Sequence, residues 1–253
     1  MSLERVQTLN LIRGIMKYAN YRSIFKMYEL VQPFLKYSTP LEESLPAGKI
    51  LVIAPHQDDE SIGCGGTIIK HVQAGGTAEI LFCTADKNYE RMTETEQAAK
   101  ILGAKLNYFL QFEIRSLYKN VSQLAERFVT LFERAKPDII FLPFMIDNHQ
   151  DHIAVSKAFL KAYKKKKTDC LVYAYSVWTT LIPNVITDIS GQWEEKQKAI
   201  ECYKTQTATR DYTTMASSIA KYWAVVKGKN TQYCEAFFKA SAGEYAGLVK
   251  KIL

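Results

Sequence analysis

Short apolar runs of strand length alternate with segments of helical periodicity, and this alternation limits the fold more than any other feature of the sequence. The runs lie at 49–54, 78–84, 106–110, 138–142, 170–175 and 185–189. Two of them, KILVIA and DIIFL, are apolar after their first residue, which is typical of strands buried on both faces of a sheet. Such strands separated by helices predict an α/β fold with a mostly parallel sheet and helices on both faces.

Helical spacing of apolar residues predicts helices between and after these runs, at 60–74, 94–102, 121–135, 151–163, 192–205 and 231–240. Residues 3–36 show the same spacing, and a linker at 38–48 with two prolines follows them. We therefore expect a basic amphipathic helical extension at 1–44 and a Rossmann-like domain at 45–253.

The net charge of +7 over 253 residues is concentrated in two segments. Residues 1–36 and the run 164–167 each contribute +4, which leaves a net charge near −1 for the rest of the chain. Because basic residues are not spread over the domain, nucleic acid is not expected as a partner. Residues 1–36 could contact an anionic membrane peripherally, or pack on the domain or in a homo-oligomer, and we favour packing.

Two features of the sequence indicate the cellular compartment of the protein. The chain has no apolar run of about 18 residues or more, and its start lacks the pattern of a secretory signal. Its five cysteines are scattered and form no CxxC pair, which is typical of reduced thiols. We expect a cytoplasmic protein, with peripheral contact at the inner membrane surface left open.

Two of the predicted strands end in segments rich in histidine and carboxylate. PHQDDE follows the first run at 55–60, and PFMIDNHQDH follows the fourth at 143–152. Three of the four histidines of the chain fall in these segments. Because ligands of open α/β sheets bind at the carboxyl ends of the strands, we expect the two segments to form one site. Its candidate residues are His56, Asp58, Asp59, Glu60, Asp147, His149, Asp151 and His152.

This composition favours a divalent metal. Adjacent carboxylates repel one another, and a cation removes that cost. Histidine and carboxylate ligands without thiolate suit Zn²⁺ or Fe²⁺, and a catalytic ion can activate water for amide hydrolysis. The alternative is that the acids at 58–60 merely cap a helix. That alternative accounts for the acids but not for the histidines.

The motifs resemble those of one family. PHQDDE, then GCGGT at 63–67 and DNHQDH at 147–152, are similar to the motifs of the PIG-L/LmbE-like family of metal-dependent N-acetylglucosamine deacetylases. The resemblance extends over about residues 48–240. Supporting matches lie at 91–94, 98–103, 173–178, 198–206 and 233–238.

The chain also departs from the family pattern. Many members carry proline where this chain has Gln57 and Gln150, but both positions lie between functional residues. The segments 84–87 and 112–115 differ as well, and they are expected to face the substrate. The group attached to the sugar is therefore left open.

The resemblance implies a role for each residue of the matching motifs. His56, Asp59 and His152 would bind the metal, and the residues alone do not distinguish Asp58 from Asp59. Asp58 would be the general base that takes a proton from the water and later protonates the leaving amine. His149 would donate a hydrogen bond to the developing oxyanion.

Further residues would support these groups. Asp147, Asp151 and Glu60 would lie outside the ligand set, with the two aspartates orienting the histidines. Arg91 resembles the arginine with which the family contacts the sugar. The alternative for Arg91 is an exposed arginine on a helix.

The function expected from the resemblance is a zinc-dependent hydrolase, with Fe²⁺ as the alternative metal. It would remove acetyl from an N-acetylglucosamine-type conjugate, either a cell-envelope glycan precursor or a small thiol-precursor glycoside. The alternatives are a non-catalytic sugar-binding protein of the same fold and a nucleic-acid-binding protein that uses the basic N-terminus. The complete set of five motif residues argues against the first, and the charge distribution argues against the second.

Overall fold

An eight-stranded sheet organises the part of the chain described by the computed structural model. The description covers residues 39–253 except 43, 85, 87, 180 and 229, together with 26, 28–30 and 32–34. The strands are β1 (Leu41–Glu42), β2 (Lys49–Ala54), β3 (Thr77–Thr84), β4 (Lys105–Phe112), β5 (Ile139–Pro143), β6 (Leu171–Tyr175), β7 (Val185–Asp188) and β8 (Cys234–Ser241).

The sheet has the order β1-β7-β8-β6-β5-β2-β3-β4 and is mostly parallel, as predicted. Only β8 runs against its neighbours, since it pairs antiparallel with both β6 and β7. β2 lies between β3 and β5 and is parallel to both. The chain moves from β2 to β3 on one side and returns to β5 on the other. The carboxyl ends of β2 and β5 therefore flank the point where the strand order reverses.

Helices cover both faces of the sheet. They are α1 (Asp59–Gln73), α2 (Tyr89–Leu102), α3 (Val121–Ala135), α4 (Gln150–Lys165), α5 (Trp193–Cys202), α6 (Lys204–Thr207), α7 (Tyr212–Val226) and α8 (Ala242–Ile252). Short 3₁₀ turns occur at Gln32–Phe34, Leu117–Lys119 and Ser190–Gln192. Within the described residues, no helix has the length and apolar character needed to cross a bilayer.

Alternate residues of the central strands feed two separate cores. Leu51 and Ile53 of β2 join a cluster with buried residues of α3, α4 and α8. Ile50 and Val52 join a second cluster on the other face, with residues of α1, α2, α5 and α7. β2 is buried on both faces, and this explains why its sequence is continuously apolar.

The prediction of a helix near 231–240 is wrong, because this stretch contains β8. Phe237 packs into the core on one face of the sheet and Phe238 into the core on the other. The alanine, glutamate and lysine of CEAFFKAS suggest a helix locally, but pairing with β6 and β7 overrides that preference. The linker predicted at 38–48 also holds the short strand β1, which pairs with β7.

The predictions for the N-terminal segment lie largely outside the described residues. Of the helical pattern at 3–36, the structure describes only 26, 28–30 and 32–34. The extension at 1–44, its membrane contact and the cytoplasmic location all stay predictions.

Helix α1 packs closely on the sheet through the glycines of GCGGT. A Cβ atom added to Gly63 would lie 2.3 Å from the ring of Tyr175, and one added to Gly66 would lie 2.7 Å from Ile189. Between these glycines the helix is kinked at Cys64, whose φ and ψ angles are −148° and 16°. The glycine motif thus allows a close approach of helix and sheet.

A buried ion pair between Lys196 and Glu235 stabilises this kink. The Glu235 carboxylate accepts hydrogen bonds from the backbone N–H groups of Gly66 at 2.9 Å and Thr67 at 2.8 Å. Lys196 Nζ donates to Glu235 Oε1 at 2.6 Å and to the Ile62 carbonyl at 2.8 Å. A kink leaves backbone N–H and C=O groups without their helical partners, as a helix end does. The ion pair supplies hydrogen-bond partners for such groups on both sides of the kink.

Candidate metal centre and active site

The histidine and carboxylate segments meet at the carboxyl ends of β2 and β5. They border a cavity of about 450 Å³ that reaches the surface. The rings of His56 and His149 lie 4.7 Å apart, those of His149 and His152 5.0 Å, and those of His56 and His152 5.4 Å, between centroids. The two segments therefore form the single site expected from the sequence.

Three ligand atoms converge on one point beneath the cavity. Asp59 Oδ2 lies 3.2 Å from His56 Nδ1 and 3.2 Å from His152 Nε2. Tetrahedral bonds of the usual length for zinc would separate such atoms by about 3.3 Å. His152 Nε2 is also fully buried, and among the described residues it makes no well-aligned hydrogen bond. An orphaned buried nitrogen beside a carboxylate fits a metal ligand.

His149 offers a second set of three nitrogens. Atoms of His56, His149 and His152 lie within 4.8 Å of one another, which would also allow a metal. His149 Nδ1 accepts a hydrogen bond of 3.2 Å from the Asp151 backbone N–H, so Nε2 would be its ligand atom. The spacing of Asp59 Oδ2 from His56 and His152, at 3.2 Å each, is tighter than the 4.8 Å that bounds the three histidines. The set of His56, Asp59 and His152 therefore fits a metal better.

Two aspartates hold the histidine rings from behind. Asp147 Oδ2 lies 3.2 Å from His152 Nδ1, and Asp151 Oδ2 lies 3.2 Å from His56 Nε2. Asp151 also accepts hydrogen bonds from the backbone N–H groups of Arg115 and Leu117, at 2.7 and 3.0 Å. In each of the two candidate histidine ligands, a carboxylate thus fixes the ring nitrogen that does not face Asp59.

The carboxylates make this site attractive to positive charge. Burial alone would lower the pKa of His56, but hydrogen bonds with Asp151 and Asp59 raise it to about 9. Burial likewise opposes charge on His152, yet the charge of Asp59 and a hydrogen bond with Asp147 raise its pKa to about 10. Burial would raise the pKa of Asp59, but His152 and His56 lower it. A metal ion would take the place of these protons.

Asp58 stands apart from the ligand atoms. Its backbone has a φ angle of 138°, which is rare for a residue other than glycine and marks a position under constraint. Burial and the neighbouring charge of Asp59 raise the pKa of the Asp58 carboxyl well above its usual range, against the effect of Arg91. The side chain lines the cavity and is free of the ligand cluster.

Glu60 lies below the site and does not face the cavity. Its carboxylate accepts hydrogen bonds of 2.7 Å from the hydroxyls of Ser61 and Tyr203. It also accepts a hydrogen bond of 3.1 Å from the backbone N–H of Asp58. This bond fixes the unusual backbone conformation of Asp58. Ser61 is fully buried in this network and is not among the residues that line the cavity.

Arg91 is buried rather than exposed, so the alternative of a solvated helix arginine is wrong. Its side chain is 5% accessible and lines the cavity. Nη1 donates to Thr205 Oγ1 at 2.9 Å, Nη2 donates to the Gln57 carbonyl, and Glu94 lies 3.5 Å away. Nη2 is also 3.7 Å from Asp58 Oδ2, which places the guanidinium beside that carboxylate.

Several residues that line the cavity were not predicted as site residues from the sequence. They come from the segments after β4, β5 and β6 and from the stretch around α6 and α7. Apart from Asn148, which lies within DNHQDH, no metal-binding or catalytic motif marks them, although 112–115 was expected to face the substrate. They are Ile114, Arg115, Asn148, Trp178, Gln206, Thr209, Arg210 and Tyr212.

Comparison with known proteins gives consistent matches. Residues 51–163 match the family described as "PIG-L: GlcNAc-PI de-N-acetylase". The chain is 27% identical to diacetylchitobiose deacetylase of Thermococcus kodakarensis over 187 residues, covering 62% of this chain and 70% of that protein. It is 24% identical to probable N-acetyl-alpha-D-glucosaminyl L-malate deacetylase 2 of Bacillus cereus over 184 residues, covering 62% and 83%.

A solved structure shares the fold. N,N'-diacetylchitobiose deacetylase from Pyrococcus horikoshii superposes with a TM-score of 0.67 at 24% identity, covering 78% of this chain and 85% of that one. The α/β architecture predicted from the sequence is thus that of known deacetylases.

Proposed function

Because residues 51–163 match the PIG-L family of de-N-acetylases, we propose that the chain removes the acetyl group from an N-acetylglucosamine-type sugar conjugate. The products would be acetate and a free amine. One observation carries the proposal: His56, Asp59 and His152 converge at ligand distances beside the buried carboxylate of Asp58. The names of the relatives support the amide of an amino sugar as the substrate.

His56, Asp59 and His152 would hold a divalent ion, which we propose is Zn²⁺, with Fe²⁺ as the alternative. Two imidazoles and a carboxylate suit either ion. When bound, such an ion would supply a Lewis acid that activates water and polarises an amide carbonyl. Asp147 and Asp151, each 3.2 Å from a ring nitrogen, would fix the orientation of the two histidine rings that hold it.

Asp58 is the proposed general base. Its raised pKa suits a group that takes a proton from water and then returns it to the departing nitrogen. The tetrahedral intermediate would collapse to a neutral amine and acetic acid, and the acid's proton would then pass to the amine, so the balanced products are an ammonium group and acetate. Glu60 keeps the turn of Asp58 in place through the hydrogen bond from its backbone N–H.

His149 is the proposed donor to the carbonyl oxygen of the substrate. Burial and the charges of His56 and His152 lower its pKa, which favours the neutral ring. In that ring Nδ1 accepts from the Asp151 backbone, so Nε2 carries the hydrogen. A hydrogen bond from Nε2 would strengthen as negative charge develops on the substrate oxygen.

Arg91 is the proposed contact for the sugar hydroxyls. The side chain is fixed by Thr205 and by the carbonyl of Gln57. Its position beside Asp58 places it at the end of the cavity where the reacting amide would lie.

The test combines metal analysis with release of acetate from N-acetylglucosamine conjugates. We expect about one divalent ion per chain in the wild type and in Asp58→Asn, with activity reduced by about 10²-fold or more in the variant. The matched control is Asp169→Asn, because Asp169 is exposed and remote from the cavity. It should keep full activity.

Two results would overturn parts of the proposal. Turnover retained in Asp58→Asn would remove the role given to that residue. A wild type that stays metal-free and inactive after reconstitution with Zn²⁺ or Fe²⁺ would remove the enzymatic function and leave the non-catalytic sugar-binding alternative.

A further inference from the structure

The side chain of Gln57 is buried and joins three segments around the cavity. Gln57 lies between the candidate ligand His56 and the proposed base Asp58, and only 3% of it is accessible. Its Oε1 atom accepts a hydrogen bond of 2.9 Å from the backbone N–H of Asp86, in the segment after β3. Its Nε2 atom donates to Thr95 Oγ1 on α2 at 2.9 Å. One side chain therefore connects the loop after β2, the segment after β3 and helix α2.

The partners of Gln57 fix the orientation of its amide. A backbone N–H can only donate, so the group that faces Asp86 must be the side-chain oxygen. The Thr95 hydroxyl donates to the Arg91 carbonyl at 2.8 Å, so its oxygen accepts from the amide nitrogen. Both bonds need an amide side chain at position 57. The proline that many family members carry there could make neither of them.

The bond to Asp86 leads to the start of α2, which carries Arg91. Asp86 Oδ1 accepts a hydrogen bond of 3.0 Å from the Asn88 N–H, and the Asn88 side chain caps α2 by accepting from the Glu90 N–H at 3.2 Å. Arg91 is the next residue of the helix. The backbone carbonyl of Gln57 also accepts a hydrogen bond from Arg91 Nη2. Gln57 thus holds Arg91 both through the start of its helix and through its guanidinium.

The position of Arg91 relative to the proposed base depends on how α2 lies against the loop after β2. Glu94, on the same helix, lies 3.5 Å from Arg91 Nη1 and would move with the helix. Asp58 is in the loop, and its Oδ2 atom lies 3.7 Å from Arg91 Nη2. The distance between the guanidinium and Asp58 is therefore set by the connection between helix and loop. Gln57 makes that connection directly at the site.

We infer that Gln57 is a positioning residue, whose amide ties α2 to the loop of the proposed base and so keeps Arg91 beside Asp58, where the sugar would bind. This inference rests on the proposed function, in which Arg91 contacts the sugar. Position 57 and the segment 84–87 are two places where the chain departs from the family pattern. The hydrogen bond between Gln57 and Asp86 joins them into one unit.

The experiment measures kcat and KM for methyl N-acetylglucosaminide in the wild type and in Gln57→Met. Methionine keeps the length and most of the volume of glutamine but cannot donate a hydrogen bond. We expect KM to rise about tenfold with kcat within about threefold of the wild type, because a displaced Arg91 weakens binding of substrate and transition state alike. The metal content should equal that of the wild type.

Two threonines of α2 supply a second variant and a matched control. Thr95→Val removes one of the two side-chain bonds of Gln57 and should raise KM by about threefold. It replaces Gln57→Met in the comparison should that variant fail to fold. The control is Thr93→Val, because Thr93 also donates to the carbonyl four residues earlier, at 2.9 Å, whereas the bond from Gln57 goes to Thr95. KM should not change in the control.

Combination with Arg91→Gln separates positioning from a general effect on the fold. If Gln57 acts through Arg91, Gln57→Met should raise KM by less than about twofold in the Arg91→Gln background. A rise of the same factor in both backgrounds would overturn the inference, because Gln57 would then act independently of Arg91. An unchanged KM in Gln57→Met would also overturn it, and in both cases the deacetylase activity would stand.

Failure of the proposed function would be recognised separately. If the wild type deacetylates no conjugate after metal reconstitution, the function falls, and hydrogen–deuterium exchange then decides whether Gln57 positions α2. The Asp86 amide and the first turn of α2 should exchange faster in Gln57→Met than in Thr93→Val. Equal exchange in the two variants would overturn the inference.

Discussion

Replacing Lys196 with methionine should destabilise the fold strongly, because it leaves the buried Glu235 carboxylate without its counter-charge. The two side chains are 3% and 4% accessible, and their charged atoms lie 2.6 Å apart. Methionine keeps most of the apolar stem, which packs near Gly65. The perturbation is therefore the loss of one charge and two hydrogen bonds, with little change in packing.

The expected size follows from these contacts. Removing one member of a buried ion pair costs about 3–5 kcal/mol. The carbonyl of Ile62 also loses its bond from Lys196, and an unsatisfied buried group alone costs about 1–3 kcal/mol. These terms overlap because the kink can relax, while Glu235 keeps its two backbone donors. We expect a decrease of about 3–5 kcal/mol in the free energy of unfolding.

Urea denaturation measures this decrease, with Lys198→Met as the matched control. Lys198 is on the same helix but exposed, so its replacement should change stability by about 0.5 kcal/mol or less. A loss below about 1 kcal/mol in Lys196→Met, with an unchanged m value, would refute the argument that the ion pair supports the kink.

Two further predictions concern packing and pH. Gly63→Ala should cost about 1–3 kcal/mol of stability because its Cβ would overlap the Tyr175 ring, whereas Gly191→Ala, with open space around it, should change little. If Gly63→Ala unfolds at the same urea concentration as the control, the close approach is not needed. In chelator-treated protein, His56 and His152 have pKa values raised to about 9 and 10 from about 6.5 in the unfolded chain. Their stabilisation is present in full below about pH 6.5 and is lost as the pH rises through those values. The thermal midpoint should therefore fall between pH 7 and 10, less steeply in His152→Gln, and equal slopes in the two proteins would contradict this origin.

The sequence predicts the elements whose local pattern agrees with their burial. Val121–Ala135 is a helix with the predicted bounds, and β2 has the predicted bounds as well. β8 could not be predicted in this way, because several of its residues favour helix and its strand state depends on partners 64–70 residues earlier in β6 and 46–52 residues earlier in β7. Its burial on both faces is a property of the assembled sheet.

The site shows the same division between residues that the sequence predicts and residues whose positions depend on the assembled fold. Histidines and acids at two strand ends predict a common site, because parallel strands bring their carboxyl ends together. Arg115 and Arg210 have no such signal. Their places depend on a left-handed turn held by Asp151 and on a stacking contact with Trp178. Glu235 falls within the supporting match at 233–238, but its role could not be predicted from it, because two of its partners are backbone groups of a distant helix.

The position of β8 within the sheet sets an order on biosynthesis. A ribosome delivers β1 to β7 before β8, yet β8 separates β6 from β7 in the finished sheet. A nascent chain stalled before residue 234 would leave the edge of β6 uncovered and β1 and β7 without their place in the sheet. It would also lack Glu235, so the kink in the helix that follows His56 and Asp58 would lose the carboxylate that stabilises it. If the proposed metal site is correct, ribosome-stalled chains should therefore acquire metal only after β8 has emerged.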